Sequence, residues 1–379
     1  MHRDSDASAY EFFAGGGMAR IGLGDAWRVT FANDVDPSKT AAYAAAFGDA
    51  HLRRGDIWSL ETRELPGRAD LAWASFPCQD LSLAGARGGL DATRSGAFWG
   101  FWRLMEALAA EGRAPRILAL ENVTGLLTSR GGRDFTTLAG VLAHAGYTVG
   151  ALQVDAAHFV PQSRPRVFVI AVRGAAPAAL RAPGPSLPFH TDSIMIAHAR
   201  LDARTAAHWA WWKLPMPPLR NADLVDLLDD PATSEWHPPD HTAALVAMMS
   251  PRQREKLATV QASGTHAVGA LFRRVRMEDG VKVQRAEARF DGVAGCLRTP
   301  AGGSSRQTLL FVEGDRLRSR LMTAREGARL MGLPDDYPLP ASQSRGLHLV
   351  GDGVAAPVVR WLSAHLLEPL ARAAPAPER

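Results

Sequence analysis

Short apolar runs alternate with helical patterns along the first 175 residues, and this alternation constrains the fold more than any other feature. It is typical of βα repeats that build a largely parallel sheet. The last two apolar runs are too close together for a helical crossover, so we expect an antiparallel hairpin at one sheet edge. The predicted strands are Ala9–Ala14, Val29–Asp34, His51–Arg54, Leu71–Ser75, Ile117–Glu121, Ala151–Asp155 and Val167–Val172, and the predicted helices are Ala41–Phe47, Ala97–Ala110 and Phe135–Ala145.

A second, irregular domain is predicted from about residue 176 onward. Proline-rich pieces such as RAPGPSLPF and KLPMPPL are followed by hairpin-like segments with turn signals at Asp279-Gly280, Asp291-Gly292 and Glu313-Gly314. Residues 270 to 320 hold eleven Lys and Arg against six Asp and Glu, whereas the whole chain has a net charge of only +4. This concentration of positive charge late in the chain points to a polyanionic partner.

Other compositional features exclude several classes of protein. The N-terminus lacks the apolar run of a signal peptide, and nowhere do about 18 consecutive apolar residues suggest a membrane span. We therefore expect a cytoplasmic protein with no membrane partner. Two cysteines in 379 residues make no disulfide scaffold and no zinc site, so no metal is predicted.

The stretch SFPCQDLSLAG places Cys78 in the loop that leaves the predicted strand Leu71–Ser75, because Pro77 ends that strand. An unpaired cysteine is more often a small buried hydrophobe, and a disulfide would need the distant Cys296 as its partner. In an open α/β sheet, however, this loop lies at the carboxyl edge, where ligands and chemistry gather. Cys78 is therefore a candidate reactive thiol.

Three further turns lie at the same predicted edge. The glycines of FAGGGM follow the first strand and let a ligand approach the backbone. Either Asp34 or Asp36 could accept hydrogen bonds from ribose hydroxyls, and Asp56 could accept one from an adenine amino group. Each motif alone could be an ordinary turn, but together they favour an adenosine-containing ligand.

Charged side chains complete this edge. RILALENV delivers Glu121 to the end of a buried strand, and QSRPR presents Arg164 and Arg166 on one face of an extended segment. The alternative interpretations are that Glu121 is an ordinary solvated carboxylate and that Arg164 and Arg166 lie on an exposed edge strand.

Taken together, these motifs closely resemble those of the bacterial DNA cytosine-5 methyltransferases, in the family's order. FAGGGM, NDVD, PCQDLSLAG, ENV and QSRPR are similar to its cofactor, catalytic and base-binding motifs, and RLMTAREGARLMGLPDDYPLP and GDGVAAPVV are similar to its last two. One departure is Asp352, where family members often carry Asn.

The resemblance implies a Rossmann-like α/β methyltransferase domain, residues 1–176 plus 347–379, that uses S-adenosylmethionine. A smaller, mostly β target-recognition domain with its hinge is expected at residues 177–346. The expected catalytic residues are Cys78, Glu121, Arg164 and Arg166. The expected cofactor-binding residues are Phe13, Ala14, Gly15, Gly17, Asp34, Val35, Asp56, Ile57, Pro77, Asp352 and Val354. The expected DNA-binding residues are Gln79, Ser82, Arg87, Arg273, Arg274, Arg276, Lys282 and Arg285.

In the implied reaction, the Cys78 thiolate adds to C6 of a flipped-out cytosine and activates C5 for methylation. Glu121 would act at N3 and the exocyclic amine, while Arg164 and Arg166 would fix the base and favour the thiolate. The expected partner is double-stranded DNA, bound by a monomeric, nucleoid-associated enzyme. A cognate restriction endonuclease is a candidate second partner.

Two alternatives are weaker. A tRNA cytosine-5 methyltransferase shares PCQ and ENV, but its Cys-Phe-Thr motif is missing and it lacks so long an inserted region. A DNA-binding regulator on an inactive methyltransferase fold would be expected to lose Cys78 or Glu121, and both are present.

Overall fold

A computed structural model describes residues 7–77, 96–278, 280–298 and 306–373. These residues form two compact units that alternate along the chain. The first contains the chain up to Asp155, Pro165–Pro217 and the segment from Gly353, and the second contains Ala156–Arg164 and Pro218–Asp352.

The helices and strands follow in chain order. The first part of unit 1 contains β1 (Ser8–Phe12), α1 (Met18–Leu23), β2 (Arg28–Asp34), α2 (Pro37–Phe47), β3 (Leu52–Arg54), β4 (Leu71–Ala74), α3 (Ala97–Ala110), β5 (Ile117–Val123), α4 (Arg133–His144), β6 (Tyr147–Asp155), β7 (Pro165–Arg173), β8 (Arg181–Ala182), α5 (Asp192–His198), α6 (Ala203–Ala207) and β9 (Trp211–Trp212). Unit 2 contains α7 (Pro239–Ala247), α8 (Pro251–Ala262), β10 (Ala267–Glu278), β11 (Val281–Arg289), β12 (Thr308–Glu313), β13 (Arg316–Leu321), α9 (Ala324–Leu330) and α10 (Gln343–Asp352). The chain then returns to unit 1 with α11 (Ala356–Leu362) and α12 (Glu368–Arg372).

Unit 1 is built on a seven-stranded sheet in the order β3-β2-β1-β4-β5-β7-β6. Neighbouring strands from β3 to β5 pair in parallel, whereas β7 is antiparallel to both β5 and β6. The predicted α/β sheet and its antiparallel edge hairpin are therefore confirmed. The reversal matters for the site, because the first residues of β7 lie beside the last residues of β5.

Helices cover both faces of this sheet. Tyr10 and Phe12 of β1 face a core that they share with α3, α4 and α5. On the other side, α1 packs against α11 so closely that a Cβ on Gly22 would lie 2.4 Å from the Val359 side chain. Sheet and helices together form an α/β/α arrangement.

The first unit continues beyond the predicted boundary near residue 176. Trp209 and Ile194 belong to the sheet's hydrophobic core, and the Ala210 N–H donates to the carbonyl of Val149 at 2.8 Å. These contacts attach the proline-rich and tryptophan-rich segment to the sheet. Apart from Ala156–Arg164, the second compact unit accordingly contains Pro218–Asp352, whereas residues 177–346 were expected.

Unit 2 contains a separate four-stranded sheet in the order β11-β10-β12-β13, with every neighbouring pair antiparallel. One face of that sheet packs Leu271, Ala286 and Leu310 against residues of α7 and α8, including Leu245 and Leu257. A second unit with an antiparallel sheet agrees with the predicted fold class. Among the described residues, no helix has the length and apolar character to cross a membrane.

Candidate active site

A carboxylate and a guanidinium meet at the carboxyl end of β5. Glu121 and Arg166 form an ion pair with 3.2 Å between Oε1 and Nε, and their side chains are only 7% and 13% exposed. In the antiparallel register, Arg166 lies opposite Val123, two residues beyond Glu121 on the same face of β5. The reversed direction of β7 thus brings QSRPR to the strand that carries ENV.

The neighbouring Asn122 connects β5 to the segment that leads to Cys78. Its amide nitrogen donates to the carbonyl of Phe76 at 3.0 Å, and its amide oxygen accepts from the Val123 N–H at 2.9 Å. Asn122 is buried. A hydrogen bond in this position fixes the backbone two residues before Cys78, a role that the sequence did not predict for Asn122.

Arg164 and Arg166 have different surroundings although they are two residues apart. Arg164 lies just before β7, in unit 2, and its side chain is buried. Its guanidinium donates to the carbonyls of Leu297 at 2.9 Å and Gly351 at 2.8 Å, and one of its nitrogens lies 3.5 Å from the Cys296 sulfur. The described contacts of Arg164 therefore hold backbone in place, whereas Arg166 contacts Glu121.

The glycine turn follows β1 directly. Phe13 and Gly15 both have positive φ, 55° and 54°. Among the described residues, only Cδ of Lys39 comes within 4.0 Å of a Cβ built on Gly15. Gly17 is packed more closely, because a Cβ there would lie 2.4 Å from the Phe47 ring. Open space above Gly15, next to the buried Ala14, is what a closely bound ligand requires.

The acid of NDVD organises this turn. Asp34 is buried, and its two oxygens accept from the N–H groups of Gly15 and Asp36, each at 2.8 Å. Asp36, the alternative ribose acid, instead caps α2 by accepting from the N–H groups of Ser38 and Lys39. Of the two acids, Asp34 is the one that lies against the glycine turn.

Two apolar side chains flank these acids. Val35 is 65% exposed, an unusual environment for a valine next to a buried aspartate. Ile57 is buried, and the preceding Asp56 accepts from the Trp58 N–H at 2.9 Å through one of its two oxygens. The exposed carboxylate and the apolar side chains suit an adenosine group, with its polar edges and flat apolar faces.

Comparison with known proteins places these motifs in a family. The family model for C-5 cytosine-specific DNA methylase matches residues 7–368. The chain belongs to this family. The predicted family resemblance is confirmed, and the methylase uses S-adenosylmethionine to methylate cytosine in DNA.

Similar proteins of known name cover nearly the whole methylase. The Type II methyltransferase M1.ScrFI of Lactococcus lactis subsp. cremoris is 24% identical over 95% of this chain and 78% of its own length. M.HpaII of Haemophilus parainfluenzae is 25% identical over 95% of this chain and 89% of its own. A solved structure of the S. pombe Dnmt2 methyltransferase has a TM-score of 0.58 at 18% identity, covering 96% of this chain and 99% of that one, which shows a shared fold.

The fit of S-adenosylmethionine to the methylase rests on the glycine turn and its acid. Gly15 leaves room for close approach, and Asp34 lies against it with one oxygen on the Gly15 N–H and the other on the Asp36 N–H. Val354 is buried in unit 1, Asp352 is exposed in unit 2, and Pro77 is exposed. Cys78, Gln79, Ser82 and Arg87 lie outside the described residues.

Beneath the glycine turn, the methylase contains a polar cluster that the sequence did not reveal. Glu11 is fully buried on β1 and accepts from the Arg20 N–H at 3.2 Å and the Tyr43 hydroxyl at 3.3 Å. The Arg20 guanidinium in turn contacts the Tyr43 hydroxyl and His51. Burial raises the pKa of Glu11 to about 7, against the opposing effect of the Arg20 charge. The alternation of side chains along β1 indicates that Glu11 and Phe12 lie on opposite faces of the sheet, but it does not identify the partners of Glu11.

The predicted DNA-binding arginines lie on the β10–β11 hairpin of the methylase. Arg276 pairs with Glu287, Arg285 pairs with Glu278, and Arg274 lies 3.8 Å from Glu287. The other two predicted residues of this hairpin, Arg273 and Lys282, are exposed on the opposite face of the ladder. The hairpin therefore divides the predicted set between its two faces.

Proposed function

We propose that this methylase transfers a methyl group to C5 of a flipped-out cytosine in a specific double-stranded DNA sequence, through a covalent bond between Cys78 and C6. The observation that carries the proposal is the Glu121–Arg166 pair at the end of β5, next to the segment that leads to Cys78. Every family motif that would touch the base belongs to this segment, to β5 or to the start of β7.

Cys78 is the proposed nucleophile. C5 of cytosine is a weak nucleophile, and a sulfur–carbon bond at C6 makes C5 enamine-like. Glu121, protonated when the base binds, donates that proton to N3, and the new N3–H bond takes up the electron pair displaced from the ring. S-adenosylmethionine supplies the methyl group as an electrophilic sulfonium. Loss of the C5 proton to a base, elimination of the Cys78 thiolate and return of the N3 proton to Glu121 then restore the neutral aromatic ring.

The two arginines take different parts in this proposal. Arg166 holds the Glu121 carboxylate in one orientation, and its positive charge favours a thiolate in the same site. Arg164 has its described contacts with the carbonyls of Leu297 and Gly351, so a positioning role suits it better than contact with the base. Arg166 is thus the arginine that we expect at the cytosine.

The cofactor contacts of this chain are proposed from the glycine turn outward. The backbone at Phe13, Ala14 and Gly15 would lie along the bound ligand, and the free lone pairs of Asp34 would accept from the ribose hydroxyls. Val35 and Ile57 would cover the adenine faces, with Asp56 at the exocyclic amine. Gly17, Pro77, Asp352 and Val354 complete the proposed set.

Base flipping and sequence choice are assigned to other segments. A duplex hides C6 in the base stack, so the base must leave it at a cost of about a few kcal/mol. Gln79, Ser82 and Arg87 are proposed to act in that step. The second unit is proposed to choose the sequence, since its hairpins carry most of the late basic charge. Exchanging residues 218–352, the main part of that unit, for those of a relative should transfer methylation to the donor's site, and an active chimera with the original site would contradict this.

A partner endonuclease is the last part of the proposal. The similar proteins M1.ScrFI and M.HpaII are named as Type II methyltransferases. We infer by analogy that a restriction endonuclease cuts the sequence that this methylase protects, and that the enzyme acts on DNA as a monomer.

Bisulfite sequencing of plasmid DNA from cells that express the chain tests the proposed function. We expect cytosines in one short sequence to resist conversion when the wild-type chain is expressed, and to convert fully with Glu121→Ala. The proposal would be refuted if these cytosines converted fully with the wild-type chain, or if they resisted conversion equally with Glu121→Ala.

A further inference from the structure

The outer half of the β10–β11 hairpin is a two-stranded ribbon with both faces open. The strand β12 pairs with β10 only from Ala267 to Leu271, whereas β11 pairs with β10 out to Glu278. In the described part of unit 2, residues 273–278 and 281–285 pair only with each other as strands. We call this segment the ribbon. A two-stranded antiparallel ribbon is one of the elements that the major groove of B-DNA admits.

Alternation along the two strands gives the ribbon two chemically different faces. The first, here called the Arg273 face, contains Arg273, Val275, Met277, Lys282 and Gln284. The second, here called the Arg276 face, contains Arg274, Arg276, Glu278, Val281, Val283 and Arg285, and continues to Glu287. Both faces carry basic residues, but among the described residues the carboxylates belong to the Arg276 face alone.

On the Arg276 face, the arginines have carboxylate partners. The Arg276 Nε donates to Glu287 at 2.7 Å, and the Arg285 Nε donates to Glu278 at 2.7 Å. The Arg285 guanidinium also lowers the pKa of Glu278, so that this carboxylate stays ionised near neutral pH. Two carboxylates would repel DNA phosphates, and an arginine that turned to a phosphate would have to leave its partner.

The Arg273 face combines charge with exposed apolar surface. Val275 and Met277 are each 62% exposed and adjacent on this face, whereas on the Arg276 face of the ribbon only Val281 is an apolar residue with that exposure. Gln284 pairs with Val275 across the strands, and Lys282 pairs with Met277. Arginine and lysine recognise guanine, glutamine recognises adenine, and apolar side chains contact the thymine methyl group in the major groove. The residue types on this face therefore match base-edge chemistry.

The same side of the sheet continues into a basic helix. Leu271 and Ala286, at the inner end of the Arg273 face, pack in one cluster with Leu257 of α8. The exposed part of α8 carries Arg252, Arg254 and Lys256 against the single acid Glu255. Positive charge beside a base-reading face suits the phosphates that flank a groove.

From this arrangement we propose that the Arg273 face of the ribbon enters the DNA major groove and reads the target sequence, while the Arg276 face points away from the base edges. The inference rests on the proposed DNA methylation, since it assigns part of that substrate's recognition. It also divides the predicted DNA-binding set: Arg273 and Lys282 contact DNA, and Arg274, Arg276 and Arg285 stabilise the ribbon.

A matched pair of valines tests the proposal. Val275 and Val281 are both 62% exposed but lie on opposite faces, so Val275→Glu and Val281→Glu add the same charge at equal exposure. Fluorescence anisotropy with a duplex that contains the target site measures the effect on DNA binding. Val275→Glu should weaken binding by at least ~10-fold, because one unfavourable charge in the groove has an effect of this size, and Val281→Glu should weaken it by less than ~3-fold. Equal effects, or the reverse order, would overturn the assignment.

Two further measurements keep the test decisive. Arg273→Ala and Arg274→Ala repeat the comparison without adding a charge, and circular dichroism melting establishes that each variant is folded. Gln284→Ala should relax the methylated sequence at one base pair by about 10- to 100-fold, measured by bisulfite sequencing. If wild-type protein methylates DNA while both faces respond alike, only the face assignment fails. If wild-type protein methylates no DNA, the proposed function itself fails.

Discussion

The guanidinium of Arg166 lies 3.2 Å from the carboxylate of Glu121, across the antiparallel pair of β5 and β7 in a sheet that is parallel from β3 to β5. This contact depends on the direction of β7, whose first residues lie beside the last residues of β5. It gives the proposed acid a fixed orientation before any base is bound. The pair is nearly buried, so losing either partner leaves a charge that is poorly hydrated.

Arg166→Ala should reduce the methylation rate by about 100-fold or more, because Glu121 loses the partner that orients it and the site loses a positive charge. Removing one partner of a mostly buried pair should also lower the free energy of unfolding by about 3 kcal/mol. Single-turnover methylation and urea unfolding measure the two effects. Arg173→Ala, at the exposed far end of β7, is the control: it should leave the methylation rate unchanged and lower the free energy of unfolding by less than about 1 kcal/mol, since the exposed Arg173 side chain lies over the Tyr147 ring in a cation–π geometry.

Asn122→Ala should slow methylation without weakening the binding of S-adenosylmethionine. The variant loses the hydrogen bond to the carbonyl of Phe76, so the backbone before Cys78 is no longer held. A buried acceptor left without its donor should lower the free energy of unfolding by about 1–3 kcal/mol. Isothermal titration and single-turnover rates separate binding from chemistry.

Asn33→Ala provides a matched comparison for Asn122→Ala. Its amide donates to the carbonyls of Arg53 and Gly55, at 2.9 and 3.0 Å, and so supports the strand ends on the cofactor side. A similar loss of stability is expected, but here the dissociation constant for S-adenosylmethionine should rise. If both variants changed the same kinetic parameter, the separate roles of these asparagines would be wrong.

Asp34→Ala should weaken S-adenosylmethionine binding by at least ~10-fold, since it removes both the proposed ribose acceptor and the contact with the Gly15 N–H. Asp36→Ala removes a helix cap and should cost about 1 kcal/mol of stability with little change in affinity. Isothermal titration decides between the two acids. Equal affinity of Asp34→Ala and wild type would remove Asp34 from the cofactor site.

The buried Glu11 should make the protein less stable as pH rises from about 4.5 to about 7. Below this window the carboxyl is protonated in both states, and within it only the unfolded chain ionises, because burial raises the folded pKa to about 7. The loss is on the order of 3 kcal/mol at full extent. His51 acts in the opposite direction, since burial lowers its pKa. Urea unfolding of wild type relative to Glu11→Gln isolates the effect of Glu11, and a difference independent of pH would contradict it.

The sheet was predictable from sequence because most of its strands are compact apolar runs followed by a turn; the short, partly exposed β3 is an exception. The helix α1 was missed, since six residues that begin with Met18 directly after three glycines give too short a pattern. The second domain was predicted to start near residue 176, because the proline-rich and tryptophan-rich segment looked irregular, but Trp209 of that segment packs into the sheet core.

Site residues were predictable where a sequence motif identifies them, but the side chains that they contact were not. ENV and QSRPR indicated Glu121 and Arg166, but only strand pairing brings them together. Likewise, the charge count marked the β10–β11 hairpin as basic, whereas cross-strand register determines which arginines face carboxylates. Long-range contacts of this kind leave no local pattern in the chain.

The central claim is that the sulfur of Cys78 adds to C6 of the target cytosine. An adduct normally collapses when a proton leaves C5 after methylation, and fluorine cannot leave as a cation. A target duplex with 5-fluorocytosine should therefore remain bonded to the enzyme in denaturing electrophoresis, and only when S-adenosylmethionine is present. A serine hydroxyl is almost wholly protonated near neutral pH, whereas a thiol of pKa ~8.5 already ionises in part.

The measurement that tests this claim most directly is the trapping experiment with peptide mapping of the adduct. We expect the modified peptide to contain Cys78, Cys78→Ser to form no complex, and Cys296→Ser to form it at the wild-type level. An adduct on Cys296, or trapping that persists in Cys78→Ser, would contradict the proposed mechanism.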